Sequence, residues 1–247
     1  MSARTYRKVH RWLGVVIGVQ FLMWTAGGLY FSLNPIARVR GETEKAPPRS
    51  LEATGPLASP ERAISELLIN HPQAEVRSII LRPFLDGAVY EISYVERGDP
   101  RWALADAETS HLRGPIGMDE AREIAVRSYL PSSPVHDVAL VTQAAPGSEY
   151  RERPLPAYRV RFEDELGTRL YVSTERGLVT ARRNNRWRLF DLLWMLHIMD
   201  YVHRDNFNTL LLQIVSALGL ATVLSGFALF VVTSPRLRRR AGTRKKA

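Results

Sequence analysis

Apolar residues follow different rhythms along this chain. Near each end they run almost without interruption. Trp12 to Leu33 is broken only by Gln20 and a few small or hydroxylic residues, and Leu210 to Thr233 has Gln213 as its most polar member. A helix rises about 1.5 Å per residue, so either stretch can cross the roughly 30 Å hydrocarbon core of a bilayer. The pattern predicts transmembrane helices over residues 12–33 and 209–233, bracketing a large domain.

Inside that domain the period switches between helical and extended. Residues 34–58, rich in Pro, Gly, Glu and Thr, read as a linker. Ser59-Pro60-Glu61 is a helix start, with Ser as N-cap, Pro at the first position and an acid in the first turn. Ala63, Ile64, Leu67 and Leu68 give that helix one apolar face, and it should end near His71-Pro72. Strand-like runs follow at Val76–Leu81, Ala88–Val95 and Trp102–Ala105, the first two joined by the turn Leu85-Asp86-Gly87, the last closing at Asp106–Ser110. The same order then recurs. Met118–Leu130 reads as a helix with Ala121, Ile124 and Ala125 inward, stopping at Pro131. Strands are expected at Val138–Thr142, Tyr158–Phe162 and Thr168–Val172, closed by Ser173–Val179. The second copy is longer by the insert Ala144–Pro156. The fold class is therefore α+β: two tandem units, residues 59–114 and 115–182, each a helix on an antiparallel sheet. Leu189, Leu192, Leu193 and Leu196, with Phe190 and Trp194 nearby, predict an amphipathic helix over 186–203 lying on the outer membrane surface.

Charge sets the topology. Arg4, Arg7, Lys8 and Arg11 make the tail 1–11 basic, and Arg236, Arg238, Arg239, Arg240, Arg244, Lys245 and Lys246 do the same for 234–247. The chain is +9 overall against +11 in these tails, leaving −2 for everything between. Basic flanks stay on the cytoplasmic side, so both termini are cytoplasmic and the middle is exported, in a bacterial inner membrane to the periplasm. The first apolar run exceeds the 7–15 residues of a signal-peptide core, which favours an uncleaved anchor. Juxtamembrane basic runs serve topology and anionic lipid, and no nucleic-acid partner is expected. Without cysteine the exported domain folds on its own core, free of disulfides.

Candidate chemistry is sparse. No serine elbow, His-Glu-x-x-His, phosphate loop or cysteine nucleophile is present, so no side-chain catalytic residue is assigned. Neither apolar stretch holds a charged residue or histidine, which argues against a pump or transporter. His10 lies at the cytoplasmic edge and His197 on the interfacial segment, and each reads either as an interfacial residue or as an iron ligand. His197-x-x-Asp200-x-x-His203 reads as a small metal site or a carboxylate-oriented histidine. His71, His111 and His136 read as surface residues. Trp12, Trp187 and Trp194 are expected at membrane interfaces. Gly14 and Gly18 in the first crossing, and Ala217, Ala221 and Ser225 in the second, are small-residue faces that pack within one chain or build a homodimer.

These features together resemble a known family. The repeated helix, strands and closing turn, with Asp106-Ala107-Glu108-Thr109 in one copy and Glu175-Arg176-Gly177 in the other, resemble PepSY modules. Ser110 stands where that turn usually carries glycine. The segments His10-Arg11-Trp12-Leu13-Gly14, Thr25-Ala26-Gly27 and Arg186 to His197 resemble PepSY-associated transmembrane flanks. The resemblance implies modules that bind or inhibit peptides and proteases. Larger four-helix relatives resemble haem-containing reductases that serve release of siderophore iron. By that resemblance His10, His197 and His203 are candidate ligands of haem b. His10 and His197 are a membrane thickness apart, so each would need its equivalent from a second protomer, or another ligand. The expected function is a haem-binding redox component of iron homeostasis with a periplasmic protein or siderophore-iron partner. The alternative is a non-catalytic anchored binding module.

Overall fold

The computed structural model describes residues 3–51 and 56–234. In chain order its helices and strands are α1 (Ala3–Leu33), α2 (Ile36–Val39), α3 (Glu61–Asn70), β1 (Glu75–Phe84), β2 (Gly87–Glu96), β3 (Asp99–Asp106) and β4 (Leu112–Arg113), then α4 (Met118–Arg127), β5 (Val135–Val141), β6 (Ala157–Phe162), β7 (Arg169–Ser173), β8 (Leu178–Arg183), α5 (Asn185–Ile198) and α6 (Leu210–Thr233). Ile36–Arg188 is one compact unit; the flanks up to Pro35 and from Leu189 form the other.

In the flanking unit α1 and α6 are, among the described residues, the two helices long and apolar enough to cross a membrane. Val15, Val16, Val19 and Leu22 are 64–71% exposed, a surface that water would penalise and lipid accepts. The first helix is longer than its apolar stretch. It reaches back to Ala3, so Arg4, Arg7, Lys8 and Arg11 ride on the helix itself. Their aliphatic stems can lie along it while the charged heads reach water. The second basic run, Arg236 to Lys246, lies outside the described residues. Ile17, Gln20 and Gly27 of α1 and Gly219 and Thr222 of α6 face inward.

The central unit holds two four-stranded antiparallel sheets, ordered β1-β2-β3-β4 and β5-β6-β7-β8. Each is preceded by a ten-residue helix. The first strand of each sheet carries a register irregularity at the same place, between Val76 and Ser78 and between Val135 and Asp137. On the first sheet α3 sets Ala63 and Leu67 against Tyr90, Ile92, Tyr94 and Ala105. The opposite face sends Phe84, Val89 and Leu104 into a second core with Ile124 and Ala125 of α4 and Val160, Phe162, Leu170 and Val172. That two-sided burial explains why β2 reads as a nearly continuous apolar run.

The strands exceed the sequence expectation, and each sheet gains a fourth: β4 and β8. Both follow turns that the sequence assigned as endings. Pro60, not Ser59, is the residue preceding α3, and the Glu61 N–H reaches the Ser59 hydroxyl at 3.4 Å. Of the α3 face only Ala63 and Leu67 are fully buried; Leu68 is 41% exposed. α4 stops at Arg127 because the next residues pair elsewhere. The Ala46 N–H donates to Ser128 O (3.1 Å) and the Leu130 N–H to Glu44 O (2.9 Å), giving the expected linker a strand-like bridge. The insert 144–156 folds over the second sheet, where Tyr150 stacks on Tyr171 at 4.4 Å.

Candidate functional site

The central unit has a groove of about 280 Å³ between β1 and β8, each the outer strand of its own sheet. Lys45, Arg49, Arg82, Arg127 and Arg182 line it, with Phe84, Ile124 and Val179 as apolar wall, and among the described residues no aspartate or glutamate does. These cations differ in how far they are already engaged. Arg82 donates to Glu91 (2.8 Å) and to the Arg176 carbonyl. Arg127 forms a two-pronged pair with Asp86 (2.8 and 3.0 Å). Among the described residues Arg49 donates to the Leu85 carbonyl alone, and Arg182 to the Ser128 carbonyl alone, at 3.0 Å. Burial pulls the Arg182 guanidinium below its ordinary value, opposed in part by the charge of Glu44. A half-buried guanidinium with one carbonyl partner has N–H groups to spare for an anion. Sequence spacing gave no hint of this groove, since its cations come from four separate segments.

The sequence-selected residues fall in separate places. His10, on α1, packs against α6, with Nδ1 at 2.9 Å from Ser225 Oγ. Ser225 already donates its hydroxyl proton to Thr222 O (2.7 Å), so it accepts from His10 Nδ1–H. That fixes the tautomer and leaves the Nε2 lone pair free. Gly226 makes room, because a Cβ there would sit 3.1 Å from the imidazole. Ser225 thus meets α1 through the His10 ring.

His197 is different. Its ring centroid lies 5.9 Å from Trp24, 6.1 Å from Phe31 and 6.2 Å from Trp194, and its Nδ1 is buried with no hydrogen-bond partner. His203 is exposed beyond the end of α5. The spacing His197-x-x-Asp200-x-x-His203 is therefore not helical. Asp200 instead accepts the backbone N–H groups of Val202, His203, Asp205 and Asn206 at 3.0–3.3 Å. Among the described residues no group of three or more His, Asp or Glu side chains could hold a metal.

Packing between α1 and α6 uses glycines that the sequence reading passed over. A Cβ on Gly219 would meet the Phe21 ring at 3.2 Å, whereas Gly14 and Gly18 have no atom within 4 Å. Ala217 and Ala221 are exposed. Trp12 is 58% exposed, Trp187 lies under the Arg183 guanidinium (4.1 Å), and Trp194 packs among Phe190, Phe207 and His197.

A family model described as PepSY-associated TM region matches residues 1–232. The chain belongs to that family. Membership agrees with the two apolar helices and makes this a membrane protein. No curated protein is detectably similar. A crystal structure of a candidate lipoprotein from Clostridium difficile is similar over 53% of this chain and 96% of its own, at 15% identity and a TM-score of 0.23. That likeness is too loose to carry fold or function.

Proposed function

We propose that this PepSY-associated protein is a membrane-anchored, non-catalytic binding module whose central domain captures an acidic, partly apolar peptide in the groove between β1 and β8. The observation that carries the reading is Arg182, half-buried in a lining that among the described residues holds no acid and offers it the Ser128 carbonyl as hydrogen-bond partner. Two outer strands flank the groove, so an extended peptide can add main-chain hydrogen bonds while Arg49 and Arg182 hold its carboxylates. In this reading the basic flanks keep both termini in the cytoplasm of a bacterial inner membrane and the central domain acts in the periplasm. The domain itself is the tandem PepSY pair. The test is fluorescence polarisation with the full chain in detergent, using labelled peptides that alternate Glu and Leu, or Lys and Leu. The acidic peptide should bind more tightly at low salt, and Arg182→Gln with Arg49→Gln should weaken it at least tenfold, since each charge-assisted bond contributes about 1.5–3 kcal/mol. Equal affinity for both peptides refutes the reading.

His10 favours a second reading. An imidazole whose Nδ1–H is held by Ser225 presents Nε2 as the atom that would ligate the iron of haem b. His197 and His203 lack such an orienting partner. Bound haem would supply one-electron chemistry for an iron-handling partner such as a ferric siderophore. Residue by residue, Ser225 sets the tautomer and Gly226 seats the ring, and the His10 of a second copy, packed through Gly14 and Gly18, would be the further residue that holds the group. The two sites cannot share one haem, because Trp24, which touches His197, is fourteen residues, about 21 Å of helix, beyond His10. A dithionite-reduced b-type spectrum in purified membranes, lost in His10→Ala and retained in His197→Ala, would support it. A colourless, folded protein would refute it.

A further inference from the structure

The first sheet borders a second hollow, which among the described residues shares no lining side chain with the groove between β1 and β8. It is a cavity of about 500 Å³ at the outer side of β3, between the end of α3 and the turn after β7. Its origin is the shortness of β4. Leu112 and Arg113 pair with Ala105 and Leu104, after which the chain leaves the sheet through Gly114 and Pro115, and the Ile116 N–H donates to Thr174 O at 2.9 Å. Among the described residues no strand lies beside β3 from Asp99 to Ala103, and the cavity opens there.

The deepest polar groups in this cavity are acceptors. Tyr94, on β2 opposite Arg101, is 6% exposed, yet among the described residues its hydroxyl has no hydrogen-bond partner. A buried tyrosine hydroxyl normally finds one. Glu96 and Glu175 line the same cavity. Burial, then the charges of Glu175 and Glu96, push the Tyr94 hydroxyl above its ordinary value, with Arg101 opposing. Both carboxylates lie deeper than the cations they meet. Glu175 is 22% exposed against 47% for Arg101, and Glu96 26% against 38% for His71, each pair at 3.1 Å. Ion pairs this open are weak, so Arg101 can swing into solvent and yield Glu175. Arg113 is less available to an anion, because it pairs with Glu120 and lies 4.6 Å over the Phe84 ring.

The walls and the volume decide which cation fits. Among the described residues no group of three or more His, Asp or Glu could hold a metal ion, and 500 Å³ is the size of a small organic molecule's pocket. Leu67, Leu104 and Leu112 give it an apolar flank, and the Tyr94 and His71 rings stand together at 5.5 Å.

We propose that this cavity binds a small alkylamine, its ammonium group held by the Tyr94 hydroxyl and the Glu96 and Glu175 carboxylates and its stem lying on the leucines.

The test is saturation-transfer NMR titration of the full chain in detergent at neutral pH, with n-pentylamine and pentan-1-ol as probes of equal stem. Pentylamine should bind about tenfold more tightly than the alcohol, as charge-assisted hydrogen bonds require. Tyr94→Phe keeps the ring and removes the acceptor, while Glu96→Gln and Glu175→Gln remove charge. Each should weaken the amine by about threefold or more and leave the alcohol unchanged. Glu75→Gln, an exposed acid outside the cavity, should change neither. An unchanged gel-filtration profile excludes misfolded variants, and three positions guard against losing one. Equal affinity for amine and alcohol, or an amine affinity that survives all three substitutions, overturns the site.

Discussion

Gly177→Ala tests whether the two sheets share one core. Gly177 closes the turn after β7 with φ +55, and a Cβ there would sit 2.6 Å from Phe84 Cε2, 3.1 Å from Leu104 and 3.3 Å from Ile116. Two penalties add. The left-handed backbone costs an alanine about 1–2 kcal/mol, and pushing a methyl group into three packed side chains costs about 1–3 kcal/mol. Their sum is about 2–5 kcal/mol. For a domain the size of Ile36–Arg188 each kcal/mol moves Tm by about 2–4 °C, so a fall of about 4–20 °C is expected. Differential scanning of tryptophan emission on the full chain in detergent reads it well. Trp102 lies under the Arg176 guanidinium, 5.0 Å away and one residue from the substitution. Gly98→Ala is the control: φ is +91 but nothing lies within 4 Å, so only the backbone penalty remains. Equal shifts for the two variants, or a fall under about 2 °C for Gly177→Ala, would refute a core shared through this turn.

Other outcomes follow from the same structure. Glu91, 5% exposed, bridges Arg82 of the first sheet and Arg176 beside the second; Glu91→Ala should destabilise by about 3–5 kcal/mol, and adding Arg176→Leu should recover part of it, as urea unfolding would show. Burial acts to raise the Glu149 carboxyl, but hydrogen bonds from Tyr171 and Arg169 and the charge of Arg188 hold it below its ordinary value. A depressed carboxylate stabilises above its unfolded value near ~4.3 and loses that contribution as pH falls through the folded value. The Tm gap between wild type and Glu149→Gln should therefore be widest near neutrality and close below about pH 4.

What the sequence conveyed depended on the range of the forces involved. The two spans were legible because a bilayer imposes an unbroken apolar run, and the repeated helix-and-sheet order because the period changes from 3.6 to 2. The fourth strands were not. β4 has only two residues, and β8 ends in Ala181-Arg182-Arg183, whose pairing with Arg169–Tyr171 is set by the turn at Gly177. The leucines of α5 show a helical stripe in the sequence, but Asp191 is drawn inward by Arg204, thirteen residues later, which no local pattern connects. The groove was invisible for the same reason: Lys45, Arg49, Arg82, Arg127 and Arg182 meet only after both sheets have formed. At His10 the histidine was found, yet its hydroxyl partner at Ser225 lies 215 residues away.

The two closing turns meet the same backbone demand in different ways. Ser110 N–H donates to Asp106 O (2.9 Å) as Gly177 N–H does to Ser173 O (2.8 Å), and both residues are left-handed, at φ +57 and +55. Gly177 meets that demand by having no side chain. Ser110 accepts the strain and uses its hydroxyl, which accepts from the Ala63 N–H at 3.2 Å. Ala63 is the third residue of α3, a helix whose preceding residue, Pro60, offers no side-chain cap, so Ser110 supplies from 47 residues away the cap that α3 lacks locally. Ser110→Ala keeps the strain and loses the cap, for a cost of about 1 kcal/mol or more. Ser110→Gly loses the same cap but relieves about 1 kcal/mol of strain, so it should fall close to wild type. Thermal unfolding that ranks wild type and Ser110→Gly together above Ser110→Ala supports this account. If Ser110→Ala matches wild type, the hydroxyl is not the cap, and α3 must be held by its buried face alone.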